Sequence, residues 1–269
     1  MALERALEHA GRADDGQLQA TLIALLVQAL VYGPTPVDDA IARLVDFYAH
    51  AFGDRALEAA LTSSLALLHA MRGEIDEARE RYARARAIYD ELGLNYRRAN
   101  RSLVPATVEM LAGNPAAAER ELRWGYEMLM SMGEKGMRST LAAYLAEALC
   151  AQGRLDEAEE FTESCESIAG SDDIVTQVVW RTARAKVYAR WDRFAEAEKL
   201  AREAVRLAEA TDFPELGAGA AMALAEVLFV SGRSDEAQLF ARRAQGIHER
   251  KGNVVAGRAA ESLFTAYSR

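Results

Sequence analysis

The sequence predicts an all-α fold, a solenoid of stacked antiparallel helix pairs. A short turn that ends in Ala begins at residues 73, 113, 153, 192 and 232, at steps of 40, 40, 39 and 40 residues. Hydrophobic residues make up 51% of the composition and only five prolines occur, a mixture that favours helix over strand. No segment shows a convincing two-residue alternation. A fixed period of this length is typical of helical arrays whose units pack only on their neighbours.

Small residues recur at three sites of each unit when the units are aligned on the Ala that ends the turn. Every unit also has Ala twelve residues earlier and a small residue seven residues later. Small side chains at these sites let neighbouring helices approach closely. The three columns are Ala78, Ala118, Ala158, Ala197 and Ala237; Ala66, Ala106, Ala146, Ala185 and Ala225; and Ala85, Gly125, Cys165, Ala204 and Ala244.

Over about residues 55–251 this pattern resembles the tetratricopeptide repeat. The resemblance implies a right-handed superhelix in which the first helix of each pair lines a concave groove. The aromatic signature of the family is diluted at the position four residues after the turn Ala. The period of about 40 residues exceeds the usual 34 or so, so each helix is expected to be about three residues, or 4–5 Å, longer.

The N-terminal residues 1–52 are predicted to form a degenerate helix pair. The segment 2–10 looks like the tail of a second helix, and another helix is expected to run to about Tyr32. Gly33–Ala40 then occupies the turn position, 40 residues before the turn that begins at 73, with two extra residues.

Five repeats are predicted over 53–251. Pro105 lies inside one of their helices and is expected to kink it, because a proline removes one backbone hydrogen bond. A last helix at about 253–267, in a capping segment 252–269, is predicted to cover the open end of the stack. The chain 1–269 is therefore predicted to be a single solenoid. The repeat helices are expected at about 54–71, 75–91, 95–112, 115–131, 135–151, 155–168, 173–190, 194–210, 215–231 and 234–250.

Charge and cysteine content restrict the partners and the compartment. The net charge of −9 argues against nucleic acid or an anionic membrane as the main partner. Cys150 and Cys165 flank one turn, offset by roughly 12 Å along a helical hairpin, which is too far for a disulfide. Two reduced thiols indicate a cytoplasmic protein. No signal peptide is evident, and the apolar run at 20–31 is too short to span a bilayer.

The sequence contains no arrangement typical of an enzyme or a metal site. Its paired aspartates stand at predicted helix starts, where carboxylates cap free amides. The Gly-rich segment 133–140 lacks the Gly-Lys-Ser/Thr ending of a phosphate loop. We therefore expect no catalytic residue, no cofactor and no metal. The histidines lie in different units without ligand spacing: His9, His50, His69 and His248.

The resemblance to tetratricopeptide repeats also selects a candidate peptide-binding groove. Its groove positions lie 18, 15, 11, 8 and 7 residues before the turn Ala. Lys186 and Arg190 lie one helical turn apart and should point the same way, and salt bridges to neighbouring Glu residues are the alternative role for them. The chaperone-type clamp for C-terminal carboxylates is matched only in part. The candidate groove residues are Asn100, Thr107, Thr140, Glu147, Lys186, Arg190, Glu226 and Phe229.

A further resemblance concerns the C-terminal helical repeats of large bacterial signalling proteins, which join such repeats to AAA- or STAND-type ATPases, nucleotide cyclases or LuxR-type domains. It is carried by the segments Gln177–Arg190, Ala208–Asp212, Leu224–Leu228 and Lys251–Val255. This resemblance implies a non-enzymatic, regulatory scaffold that binds a protein or peptide; a homodimer is left open. The alternative is a sensor of a small ligand such as a sugar, as in maltose-type regulators. Aromatic residues in the groove would favour the sensor, but the position of Trp180 relative to the turn Ala places it in the core.

Overall fold

The computed structural model describes residues 16–50 and 53–267, together with the single positions 5, 9 and 12. All regular structure in these residues is helical, so the predicted all-α class is confirmed. The segment predicted at 2–10 lies outside the continuously described residues. The helices are α1 Gly16–Tyr32, α2 Val37–His50, α3 Arg55–Met71, α4 Ile75–Glu91, α5 Asn95–Asn100, α6 Leu103–Leu111, α7 Pro115–Ser131, α8 Gly136–Ala151, α9 Leu155–Ile168, α10 Ile174–Arg190, α11 Phe194–Glu209, α12 Pro214–Val230, α13 Ser234–Lys251 and α14 Val254–Tyr267.

The turns of the repeat have the backbone conformation that the sequence pattern requires. Four of them begin with a glycine in the left-handed region, for example Gly153 at φ 76° and Gly232 at φ 83°. At the remaining turn Asp192 adopts φ 59°, a conformation that Asp tolerates better than most residues with a Cβ. It is the one non-glycine residue with positive φ in the described part of the chain. The turns thereby join α3 to α4, α6 to α7, α8 to α9, α10 to α11 and α12 to α13.

The three columns of small residues are buried throughout. Every Ala in them is at most 1% exposed, and Gly125 and Cys165 are buried as well. At Gly125 an added Cβ would lie 2.5 Å from Ser102 Oγ and 2.9 Å from Leu141 Cδ1. The close helix contacts that these columns were predicted to permit are therefore present.

The helices form an inner and an outer layer. Consecutive first helices pack on each other, most closely α8 with α10 and α10 with α12. The second helices pack on the first helices beside them, and hardly on one another within the described residues. Helices on the inside of a curve approach more closely than those outside it, so the first helices form the concave layer.

The sequence predicted one continuous helix at 95–112. The structure corrects this prediction, because two shorter helices, α5 and α6, occupy these residues. At the break, Ser102 N donates to Ala99 O at 3.1 Å and Val104 N donates to Arg101 O at 3.0 Å. These bonds span three residues instead of four, because Pro105 has no N–H to donate to Arg101 O. Pro105 thus stands in the first turn of α6, where a free N–H is not needed.

The two ends of the array touch. The last helix packs on α13, as a capping helix does, but it also contacts α3 at the other end. At the seam, a Cβ added to Gly252 would lie 3.5 Å from Val37 Cβ, and one added to Gly73 would lie 3.6 Å from Val255 Cγ2. The expectation that this helix covers an open end is therefore incomplete, since the array closes on itself.

The N-terminal helices differ from the other pairs. Both α1 and α2 pack on α3, but they make little contact with each other. The turn between them contains Pro34 and Pro36 and no positive-φ glycine. At Gly33 a Cβ would lie 2.3 Å from Ala29 O, so no larger residue fits the backbone that ends α1. These helices thus lack the close antiparallel packing of the repeats.

Candidate functional site

The candidate groove residues lie on four first helices of the inner layer, one of which is broken into α5 and α6. Asn100 ends α5 and Thr107 is on α6, so the break described above lies between these two residues. The other residues follow one another across α8, α10 and α12: Thr140, Glu147, Lys186, Arg190, Glu226 and Phe229.

A row of alternating charges crosses the three helices, and we call Glu147, Lys186 and Glu226 the charge ladder. Lys186 Nζ lies 3.7 Å from Glu147 Oε1, and Thr182 Oγ1 donates to the same oxygen at 2.8 Å. Burial lowers the pKa of Lys186, but Glu147 and Glu226 outweigh this effect, so that its pKa is raised. Lys186 is therefore charged at neutral pH, and its side chain is 22% exposed.

Arg190 lies one turn beyond the ladder and points to the same neighbouring helix as Lys186. Its guanidinium donates to Cys150 O and lies 3.5 Å from Cys150 Sγ. A cation at this place stabilises the carbonyl end of α8. Burial raises the pKa of the Cys150 thiol, although Lys186 and Arg190 act against it. Cys150 and Cys165 are both buried and free.

Other candidate residues have local hydrogen-bond partners. Thr140 is buried, and its hydroxyl oxygen lies 2.7 Å from Thr176 Oγ1 on α10. Thr107 Oγ1 donates to Leu103 O of its own helix at 2.8 Å. Phe229 packs at the edge of the apolar cluster of α10 to α13. The structure thus brings Glu147, Lys186, Arg190 and Glu226 together, and Phe229 stands three residues after Glu226 on α12, while Asn100 and Thr107 lie on α5 and α6.

Two tyrosines with shifted pKa values were absent from the candidates. Burial raises the pKa of Tyr144, and Glu147 and Tyr32 act in the same direction. Burial also raises the pKa of Tyr32, against the charge of Arg101. Tyr144 stands three residues before Glu147, so helical spacing points to it; nothing in the local sequence points to Tyr32.

The tryptophans are not arranged as a stacking surface in the groove. Trp180 is 2% exposed, and the guanidinium carbons of Arg181 and Arg184 lie 4.2 and 4.6 Å from its ring centroid. Trp191 is partly buried and stacks on Tyr188 with 6.2 Å between centroids. The predicted core position of Trp180 is confirmed.

Two further observations concern metals and membranes. In residues 16–50 and 53–267, no three His, Cys, Asp or Glu side chains are placed so that they could hold a metal ion. Of the helices described, none has both the length and the apolar character that a membrane crossing requires.

Comparisons with known proteins support the fold alone. No family model matches the chain, and no curated protein matches it. The crystal structure of BtubC (BKLC) from P. vanneervenii is similar with 15% identity and a TM-score of 0.52, over 97% of this chain and 93% of that chain. A Podosopora anserina protein of the kinesin light chain type, with nearly identical TPR-like repeats, gives 20% identity and a TM-score of 0.47, over 69% and 92%. The chain thus has a TPR-like, all-α repeat fold.

Proposed function

We propose that the chain is a non-enzymatic scaffold that binds a protein or peptide segment in the groove formed by the inner layer. The observation that carries this proposal is the position of Arg190. It is exposed beside partly exposed Lys186, and no carboxylate of the described residues forms a salt bridge with it. Two cations on one face of an acidic chain favour an acidic side chain or a C-terminal carboxylate as the ligand.

The proposed binding surface extends beyond these two cations. The charge ladder with Arg190 forms its centre, and Asn100 and Thr107 extend it toward α6. Thr140 has a structural role, because its hydroxyl group is already hydrogen-bonded to Thr176 of α10. Phe229 adds an apolar contact at the α12 end of the surface. A segment several residues long, and not a single side chain, would fit a surface of this extent.

Peptide binding tests the proposal. The probe is an array of acidic peptides, each with a free and with an amidated C-terminus. The double variant Lys186→Ala/Arg190→Ala should weaken the peptides that bind the native chain by about tenfold or more. The matched control is Lys199→Ala/Arg206→Ala, which removes the same charge from exposed positions of α11 and should leave binding unchanged.

The melting temperature separates this role from a structural one. Arg190 is exposed and Lys186 is partly exposed, so their contacts with Glu147 and the end of α8 contribute modestly to folding. The double variant should melt within about 5 °C of the native temperature. A lowered melting temperature with unchanged peptide binding would show that the two cations serve only as structural partners of Glu147 and the end of α8.

The cellular setting proposed here follows from the sequence resemblance. We infer that the chain is a regulatory tail of a bacterial signalling protein, in the cytoplasm, with a protein partner and no direct contact with nucleic acid or membrane. Its net charge of −9 supports the last two points. Light scattering of the purified chain decides whether it forms a homodimer.

A small-ligand sensor is the second candidate function. The observation that favours it is Tyr144, which is partly exposed and stands three residues before Glu147 on α8, since a tyrosine ring and a charged group together suit a sugar. A rise in melting temperature with millimolar maltose, lost in Tyr144→Ala, would support this function. A melting temperature that no sugar of a panel raises would exclude this function.

A further inference from the structure

Lys251, at the end of α13, joins the two ends of the array. Its side chain is 1% exposed, and its ammonium donates to the carbonyls of Leu30, Gly33 and Thr35 at 3.0, 2.8 and 2.8 Å. All three N–H groups of the ammonium are thereby used. Because these carbonyls end α1 and begin the following turn, the charge also lies at the negative end of the α1 dipole. Lys251 therefore fixes the C-terminal end of α1.

The buried face of α1 lies on the inner layer. Val27, Leu30 and Val31 belong to one apolar cluster with Leu67 and Met71 of α3, and the cluster also includes residues of α2 and α6. Leu67 and Met71 stand eleven and seven residues before the turn Ala of their unit, which are groove positions. In this unit the groove is thus already occupied, by a helix of the same chain.

Helix α1 packs less closely than the helices of the repeats. It packs on α2 and α3 far less extensively than α3 packs on α4. Its outer face is exposed, with Leu18 at 45% and Leu25 at 47%. The buried apolar face and the Lys251 contacts both hold α1 in the groove.

We propose that α1 is a displaceable internal ligand of the groove, locked by Lys251, and that a partner replaces it with an apolar helix of its own. The regulatory meaning of this inference rests on the proposed function. In the locked state the inner face of α3 is covered. When α1 leaves, this face becomes continuous with the charge ladder, and the groove gains an apolar half.

Hydrogen exchange of the full chain tests the lock without any ligand. In Lys251→Met the amides of α1 should lose at least about tenfold in protection, while those of α8 and α10 keep the native value. Lys199→Met, an exposed lysine, is the control and should change neither. Native protection of α1 in Lys251→Met would overturn the proposal, and so would an equal loss in all helices, which would assign Lys251 to global stability.

Binding in trans tests the displacement. The probe is a synthetic peptide with the sequence of residues 16–32 and added lysines for solubility. It should bind Lys251→Met about tenfold more tightly than it binds the native chain, because the groove is vacant more often. Equal affinity for both chains would contradict the proposal.

A second variant guards against misfolding of the first. Val31→Asp places a charge on the buried face of α1 and leaves Lys251 intact, so it should release α1 and admit the peptide in the same way. The Lys186→Ala/Arg190→Ala variant should keep native exchange in α1. The proposal about Lys251 and the proposal about an acidic ligand can therefore be contradicted independently. Neither the exchange measurement nor the trans-binding measurement requires Lys186 and Arg190.

Discussion

At the residue scale, one charge arrangement is used twice on the outer surface, two units apart. Arg154 Nη1 lies 2.7 Å from Glu119 Oε2, and Arg233 Nη1 lies 2.7 Å from Glu198 Oε1. Both arginines directly follow a turn glycine, and both also pair with the Glu three residues later. Each glutamate belongs to the second helix of the preceding unit. The arginine of the turn therefore ties one unit to the unit before it.

Acid should weaken these ties. Burial raises the pKa of Glu119, but hydrogen bonds from Arg123, Gln152 and Arg154 outweigh it and the pKa is lowered from its ordinary 4.5. A carboxyl whose pKa is depressed by folding stabilises the protein above its unfolded pKa, and this contribution is lost as the pH falls through the folded value. We expect the melting temperature to drop below about pH 4.5, and less steeply in Glu119→Gln.

The control for this prediction is Glu160→Gln, a change at an exposed glutamate of α9. It should follow the native pH dependence. If Glu119→Gln loses stability on acidification as steeply as the native chain, the network around Glu119 does not contribute to the acid response.

The columns of small residues permit a direct test of helix packing. Ala146 of α8 and Ala185 of α10 are fully buried in the apolar core. Replacing either with Leu should lower the free energy of unfolding by about 1–3 kcal/mol, because the larger side chain forces neighbouring helices apart. Ala195→Leu, at an exposed position of α11, should change it by less than about 0.5 kcal/mol. Urea unfolding measures both, and equal stability of all variants would contradict the assigned packing.

At the element scale, the break between α5 and α6 shows what a repeat pattern leaves open. The sequence places Pro105 inside a helix but does not reveal where the helix yields. In the structure it yields at Ser102, which then lies close to Gly125 of α7. The glycine in that column was predicted only as a small residue; its contact with Ser102 depends on a break that the periodicity does not encode.

Two glycine substitutions test this contact. Gly125→Ala should destabilise the chain by about 1–3 kcal/mol, because the new Cβ would lie 2.6 Å from Ser102 Cβ. Gly219→Ala, in α12 with nothing within 4 Å of the new Cβ, should stabilise it by up to about 1 kcal/mol. Thermal unfolding of both variants decides. A stabilising Gly125→Ala would mean that α5 and α6 can shift freely over α7.

The sequence predicted only those features of the candidate site that follow from helical spacing. The four-residue step from Lys186 to Arg190 predicted their shared direction, and both do reach toward α8. The partners of those side chains, such as Cys150 O, depend on the lateral register of two helices 40 residues apart. The effect of Tyr32 on the pKa of Tyr144 depends on the curvature summed over the array, which no local pattern records.

At the scale of the whole molecule, closure of the array leaves the terminal repeats without a free side. In an open array the terminal repeats have one neighbour and open first. Here the turn after α1 and the start of α2 contact the end of α13, and α14 contacts α3. Every repeat therefore has neighbours on two sides, and the seam is made of buried contacts such as Val37, which is 1% exposed.

Closure predicts an even distribution of protection in native-state hydrogen exchange. We expect the amides of α3 and α12 to be protected within about tenfold of those of α8 and α10, since fraying requires a free end. Val37→Ala weakens the seam and should raise exchange in α3 and α12 before the central helices respond. Val45→Ala, an exposed change in the same helix as Val37, should leave the pattern unaltered. A native chain whose protection declines steadily from α8 toward both ends would instead behave as an open array, and the contacts at the seam would then contribute nothing to its stability.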